Sequence, residues 1–188
     1  MRSTRSYLRW LFDTFTPGRV SETHIGNEGN GEVEKEVKGG TQIMQDLLIE
    51  VLSHYGMKEI SGKDSNPDIL AFFKELGYDW VNDDSTTAWC SAMMSYYAKK
   101  CGYEYNTSLS ARGWLKMPVR VLKPQIGNVV IFWRESPQSW KGHVGIFIAQ
   151  DINIIYVLGG NQGNSLSIAG YPRDQLLGYR ELRKLKDI

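Results

Sequence analysis

The sequence predicts an α+β domain in which helices come first and an antiparallel sheet second. Three observations predict it. Up to Gly102, apolar residues recur at helical spacing. Beyond it the texture changes to apolar runs of strand length: Val129–Trp133, His143–Ala149 and Ile154–Leu158. Only a turn, Gln150–Asn153, separates the last two runs, so they read as a β-hairpin. Helical segments followed by strands, without alternation, describe an α+β chain.

Ile43, Leu47, Leu48, Val51 and Leu52 place a first helix from about Thr41 to Tyr55, stopped by Gly56. A second helix is capped by Ser65 or Asn66, carries Pro67 at its first position, buries Ile69, Leu70, Phe72, Phe73 and Leu76, and ends at Gly77. In the third, Cys90, Met93, Met94, Tyr97, Ala98 and Cys101 share a face that Trp89, Ala92 and Tyr96 widen. Ser91, Ser95 and Lys99 are left as a narrow polar stripe. Ser85, Thr86 and Thr87 offer N-caps, and Gly102 follows the basic last turn as a stop. A short helix over Ser110–Leu115 is closed by Pro118, and Pro124–Asn128 is a turn. After the hairpin come the polar run Gly159–Asn164, a strand Ser165–Ile168 and a last packing element with Leu176, Leu177, Tyr179 and Leu182.

At 188 residues the chain holds one core and a small appendage. The appendage divides in two. Residues 1–15 are basic, with interleaved aromatic and aliphatic residues, and read equally as an amphipathic segment or as a poorly ordered tail. They lack the unbroken apolar core and small-residue cleavage site of a secretory signal. Residues 16–40, with Pro17-Gly18, Gly26–Gly31 and Gly39-Gly40, form a linker, which leaves 41–188 as the folded domain. No stretch is long enough to span a membrane. A net charge of +1 argues against a nucleic-acid partner. Two cysteines make no disulfide framework, and on one helix Cys90 and Cys101 would lie roughly 16 Å apart. Three histidines and two cysteines match no zinc spacing, so neither metal nor cofactor is expected.

Cys90 lies in the first turn of its helix, where the partial positive charge of the N-terminus favours a thiolate. If Asp151 and Ile152 form the hairpin tip, His143 faces Gly160; a three-residue tip sets it opposite Asn161. Either way Asn161 neighbours His143 across the strands. Cysteine, histidine and asparagine in this order suit a thiol nucleophile, its general base, and an amide that orients the ring. Asp84 reads as part of the loop leading into the helix. Trp89, Trp114, Trp133 and Trp140, with Gln162, are candidates for lining a substrate groove.

Ala88-Trp89-Cys90-Ser91-Ala92, Gly127–Phe132, Gly142-His143-Val144-Gly145 and Val157–Gln162 resemble the papain-like peptidoglycan hydrolases, specifically the CHAP type and its NlpC-type relatives in a compact phage and bacterial subgroup. The resemblance covers roughly Glu59 to Arg180. It implies a papain-like α+β fold with catalytic Cys90, His143 and Asn161, and a cysteine amidohydrolase of peptidoglycan. The bond would be the amide between muramic acid and the first alanine, or a peptide bond of the stem or cross-bridge. Asn128 stands where relatives commonly carry aspartate and is expected to serve a turn. The Gly159-Gly160 pair stands where many CHAP enzymes carry a glutamate nearby, so no fourth catalytic carboxylate is assigned. The setting implied is a phage lysin released through a pore, or an antibacterial effector delivered by a secretion machine. It would act in the periplasm or cell wall, with an immunity protein or delivery component as partner. A thiol acyltransferase and a catalytically retired wall-binding module remain as alternatives on the same residues.

Overall fold

The computed structural model describes residues 39–60 and 64–187. The amphipathic segment 1–15 and all but the last two residues of the linker 16–40 lie outside the described residues. Among these, α1 (Gly39–Leu52), α2 (Pro67–Lys74) and α3 (Cys90–Lys100) precede β1 (Val119–Val121), β2 (Val129–Trp133), β3 (Gly142–Gln150), β4 (Ile154–Gly159), β5 (Ser167–Pro172) and β6 (Leu176–Glu181). The strands make one antiparallel sheet in the order β1-β6-β2-β3-β4-β5. The α+β class, helices first, is therefore the observed one.

Both faces of the sheet are used. Leu47, Val51, Phe72, Phe73, Met93, Met94 and Tyr97 carry the helices onto Val129, Ile131, Val144, Ile146 and Leu158. On the opposite face Val130, Phe132, Phe147, Ile155, Val157 and Tyr179 form a second cluster. The chain leaves the sheet edge at β5 and returns between β1 and β2 as β6, and Tyr171 and Leu176, at the two ends of this connection, pack on the second cluster. Trp133 Nε1 donates to the Asp174 carbonyl at 3.1 Å and anchors it. The strand read over Ser165–Ile168 is found at Ser167–Pro172, and the three-residue β1 has no apolar run to announce it.

Helix α3 is buried nearly all round, including the predicted polar stripe at Ser91 and Ser95. Those hydroxyls are satisfied within the fold. Ser91 Oγ donates to the Ser108 carbonyl at 3.0 Å and accepts from Trp114 Nε1 at 3.0 Å, and Ser95 Oγ donates to the Asn106 carbonyl at 2.6 Å. The loop after α3, with its 3-10 turn Ala111–Lys116, is thus tied to the first turns of the helix. Gly102 ends the helix region at φ 73.

The caps predicted for α3 are not used, whereas Asn66 caps α2 as expected, accepting from the Asp68 amide at 2.9 Å. Asp83 Oδ1 accepts from the amide and hydroxyl of Ser85 at 2.8 and 2.7 Å, and Thr86 donates to the Asp83 carbonyl at 3.2 Å. A local aspartate turn takes these hydroxyls, and the helix starts later, at Cys90, with Trp89 as an N-cap that makes no side-chain bond. Its first amides stay free of side-chain caps. Asp84 braces the approach: its buried carboxylate accepts from the Asn66 amide at 2.8 Å. Asn128 serves a turn as expected, accepting from the Gln125 amide at 2.7 Å.

The end of β4 closes on the start of α3 through Gly160. A Cβ there would lie 2.3 Å from Trp89 Cζ3 and 3.0 Å from Met93 Sδ, with Trp89 fully buried. Gly160→Ala is expected to destabilise the fold by about 1–3 kcal/mol, seen as a lower urea midpoint at unchanged slope. An unchanged midpoint would contradict this packing.

Candidate active site

Cys90 is the first residue of α3, with its thiol buried against the start of β3. The amide of Val144, next to His143, hydrogen-bonds the sulfur, as do the amides of Ser91 and of Cys90 itself. These are the amides that the missing cap leaves available. Burial pushes the thiol up from its ordinary range, while the Val144 amide, the charge of Arg134 and the helix-start amides pull the other way. Burial wins, so the resting sulfur is protonated.

His143 is fully buried on the opposite face of β3 from Val144 and pairs with Phe132 of β2. Its Nε2 lies 3.0 Å from Gln162 Oε1. The Gln162 amide nitrogen donates to the carbonyls of Val157 and Ser167, which turns the oxygen towards the ring. An acceptor at that position requires Nε2 to carry the hydrogen, so Nδ1 keeps a lone pair. That lone pair accepts from Arg134 Nη2 at 3.2 Å. Tyr171 stacks on the ring at 4.7 Å and 16°. Burial and then the Arg134 charge hold the imidazole down at about 3, against the weaker upward pull of the Gln162 bond. The site at rest holds a neutral thiol and a neutral imidazole whose Nδ1 lone pair is taken by Arg134.

The structure sets Cys90 near Val144, the residue after His143, and the side chain it bonds to the imidazole is Gln162 where the sequence pointed to Asn161. The register near the open end of the hairpin, with Ile146 opposite Leu158, extrapolates to His143 opposite Asn161. Asn161, however, has left-handed backbone at φ 56, which breaks the strand alternation, and the next side chain, Gln162, turns onto the ring. Gln162, read from sequence as a groove residue, is buried behind the histidine. Gly159 makes room for the pair: a Cβ there would sit 3.2 Å from His143 Nε2 and 3.1 Å from Gln162 Oε1.

Of the predicted groove tryptophans, Trp89 and Trp114 are fully buried and bonded to Glu59 and Ser91, so they belong to the core. Trp133 is half-buried over the β5–β6 connection. Trp140 is 77% exposed in the β2–β3 loop and is free for surface contact. Arg134 and Tyr171 are the site residues the sequence reading missed. Arg134 directly follows the last residue of β2, the strand paired with β3, and that adjacency was the available signal. Among the described residues no group of three or more His, Cys, Asp or Glu side chains is placed to hold a metal ion. No described helix is long and apolar enough to cross a membrane.

No protein-family model and no curated protein matches the chain. Among solved structures the chain is similar to a Staphylococcus aureus subsp. aureus Mu50 protein described as similar to a lipoprotein of the NLP/P60 family. The identity is 16%, over 80% of this chain and 44% of that one, with a TM-score of 0.46. This chain therefore spans less than half of that protein's length.

The buried ring has a measurable signature. An unfolded histidine takes up its proton near 6.5, the folded ring near 3, so folding stability declines as pH falls through that window and levels off below it. Imidazole 15N NMR should show His143 as the neutral Nε2–H tautomer from about pH 7 down to about pH 4. Arg134→Gln should move its titration upward by removing a repelling charge. A ring that titrates near 6.5 in the wild type would contradict this description of the site.

Proposed function

We propose that the chain is a papain-like cysteine hydrolase of the NlpC and CHAP kind that cleaves an amide bond in bacterial peptidoglycan. What supports the reading is Cys90 at an uncapped helix start near Val144, the residue that follows a buried His143 whose tautomer Gln162 fixes. In this mechanism His143 Nδ1 takes the thiol proton as the sulfur attacks the amide carbonyl. The oxyanion that forms faces the free amides of the first turn of α3, where the helix dipole favours negative charge. The C–N bond then breaks, Nδ1–H protonates the leaving amine, and a thioester remains on Cys90. Water, deprotonated by the same nitrogen, hydrolyses it. Gln162 holds the Nε2–H throughout and stabilises the transient imidazolium.

The finer reading is an N-acetylmuramoyl-L-alanine amidase or an endopeptidase of the stem or cross-bridge. In either case the enzyme acts in the periplasm or cell wall, as a phage lysin or as a secreted effector with an immunity protein. A neighbouring holin or immunity gene separates the two settings.

The test is digestion of purified Gram-negative-type peptidoglycan by wild type and by Cys90→Ala, with product masses read out. Wild type should release new fragments whose masses name the bond, and Cys90→Ala should lose activity by on the order of a thousandfold or more. No fragments from either protein on several wall types would overturn the hydrolase reading.

A further inference from the structure

Arg134 sits where the proposed mechanism needs an empty space. Its guanidinium holds the Nδ1 lone pair of His143 at 3.2 Å and bonds the Tyr171 side chain, and its charge reaches Cys90. Nδ1 is the nitrogen that must accept the thiol proton. In this position the base is occupied.

The backbone of Arg134 is held by the β2–β3 loop. Its amide donates to the Lys141 carbonyl at 3.2 Å and closes the β2–β3 loop. Arg112 clamps that loop through the Ser139 carbonyl and through the Pro137 carbonyl at 3.0 Å. The side chain itself is exposed. Among the described residues no carboxylate pairs with it, and the adjacent Glu135 is taken by Lys141. The cation therefore rests on two neutral groups, an imidazole and a phenol. A carboxylate is a stronger partner than either, because a charge-assisted, two-pronged contact exceeds a bond to a neutral acceptor.

We propose that Arg134 is the anion-recognition residue of this site: it takes a carboxylate that the substrate carries near its scissile amide, and in moving to it releases His143 Nδ1. This rests on the thiol-hydrolase reading above and narrows the substrate to acidic peptides. The exchange spends binding energy from a remote substrate group on assembling the base, so that an uncharged amide meets an occupied one. Once Nδ1 is free, the thiol proton passes to it, and sulfur becomes the nucleophile while Gln162 keeps the Nε2–H.

The test needs no turnover. Alkylation of Cys90 is followed by peptide mass spectrometry with iodoacetate, which is anionic, and iodoacetamide, which is neutral. Glutathione is the reference thiol. Wild type should favour iodoacetate over iodoacetamide by about tenfold more than glutathione does, the scale of one charge contact with a partly solvated guanidinium. Arg134→Gln should bring the ratio to the glutathione value, Arg134→Lys should keep part of it, and Lys141→Gln should keep all of it. Thermal midpoints equal to wild type verify that the variants are folded. A wild-type ratio no higher than that of glutathione, a wild-type ratio in Arg134→Gln, or the same loss in Lys141→Gln, would overturn the proposal. Absence of peptidoglycan digestion would leave this readout intact, so the two readings fail separately.

Discussion

The imidazole of His143 is fully buried on the sheet, where a charged ring is costly, and its neighbours are arranged around that constraint. Kept neutral, the ring has one hydrogen and one lone pair to place, and Gln162 decides which nitrogen has which. Gln162 is fixed in turn by the carbonyls of Val157 and Ser167, on the two strands that continue to the sheet edge. Gly159 leaves room for both side chains, and Tyr171 covers the ring from β5. Sheet geometry is thereby converted into the tautomer of one side chain.

Helix α3 supplies the other half. Its core contacts and the Ser91 hydrogen bonds to the following loop hold the first turn in place, while the serine and threonine hydroxyls that would have capped it are held by Asp83. A capped helix would have spent its first amides on side chains. This one presents them to the Cys90 sulfur. With the thiol raised by burial and the imidazole lowered by it, the resting pair is uncharged. In the mechanism we propose, reactivity arises when substrate draws Arg134 off Nδ1.

Much of this was legible in the sequence. The 3.6-residue recurrence from Cys90 to Cys101, the run Val129–Trp133 and the hairpin of β3 and β4 are strong periodic signals, and they carried Cys90 and His143 to the right elements. What was not legible depended on single backbone torsions and on burial. The hairpin ruler pointed at Asn161, and one left-handed residue handed the ring to Gln162. The preference of Ser85 and Thr86 for helix caps was overridden by a closer acceptor, Asp83. Tryptophans suit a groove and a core equally in composition, and only the packing shows Trp89 and Trp114 inside and Trp140 outside. Arg134 stood unremarked because a cation at a strand end is ordinary until the side chain beside it is known to be a buried histidine.

Under the proposed function Cys90 is a nucleophile that forms a covalent acyl intermediate. The most direct test is to mix the protein with peptidoglycan fragments, quench in acid within a turnover, and map adducts by mass spectrometry. A hydroxylamine-labile acyl group is expected on the Cys90 peptide and not on the Cys101 peptide. Fragment release with no such adduct, or with the adduct on Cys101, would contradict it.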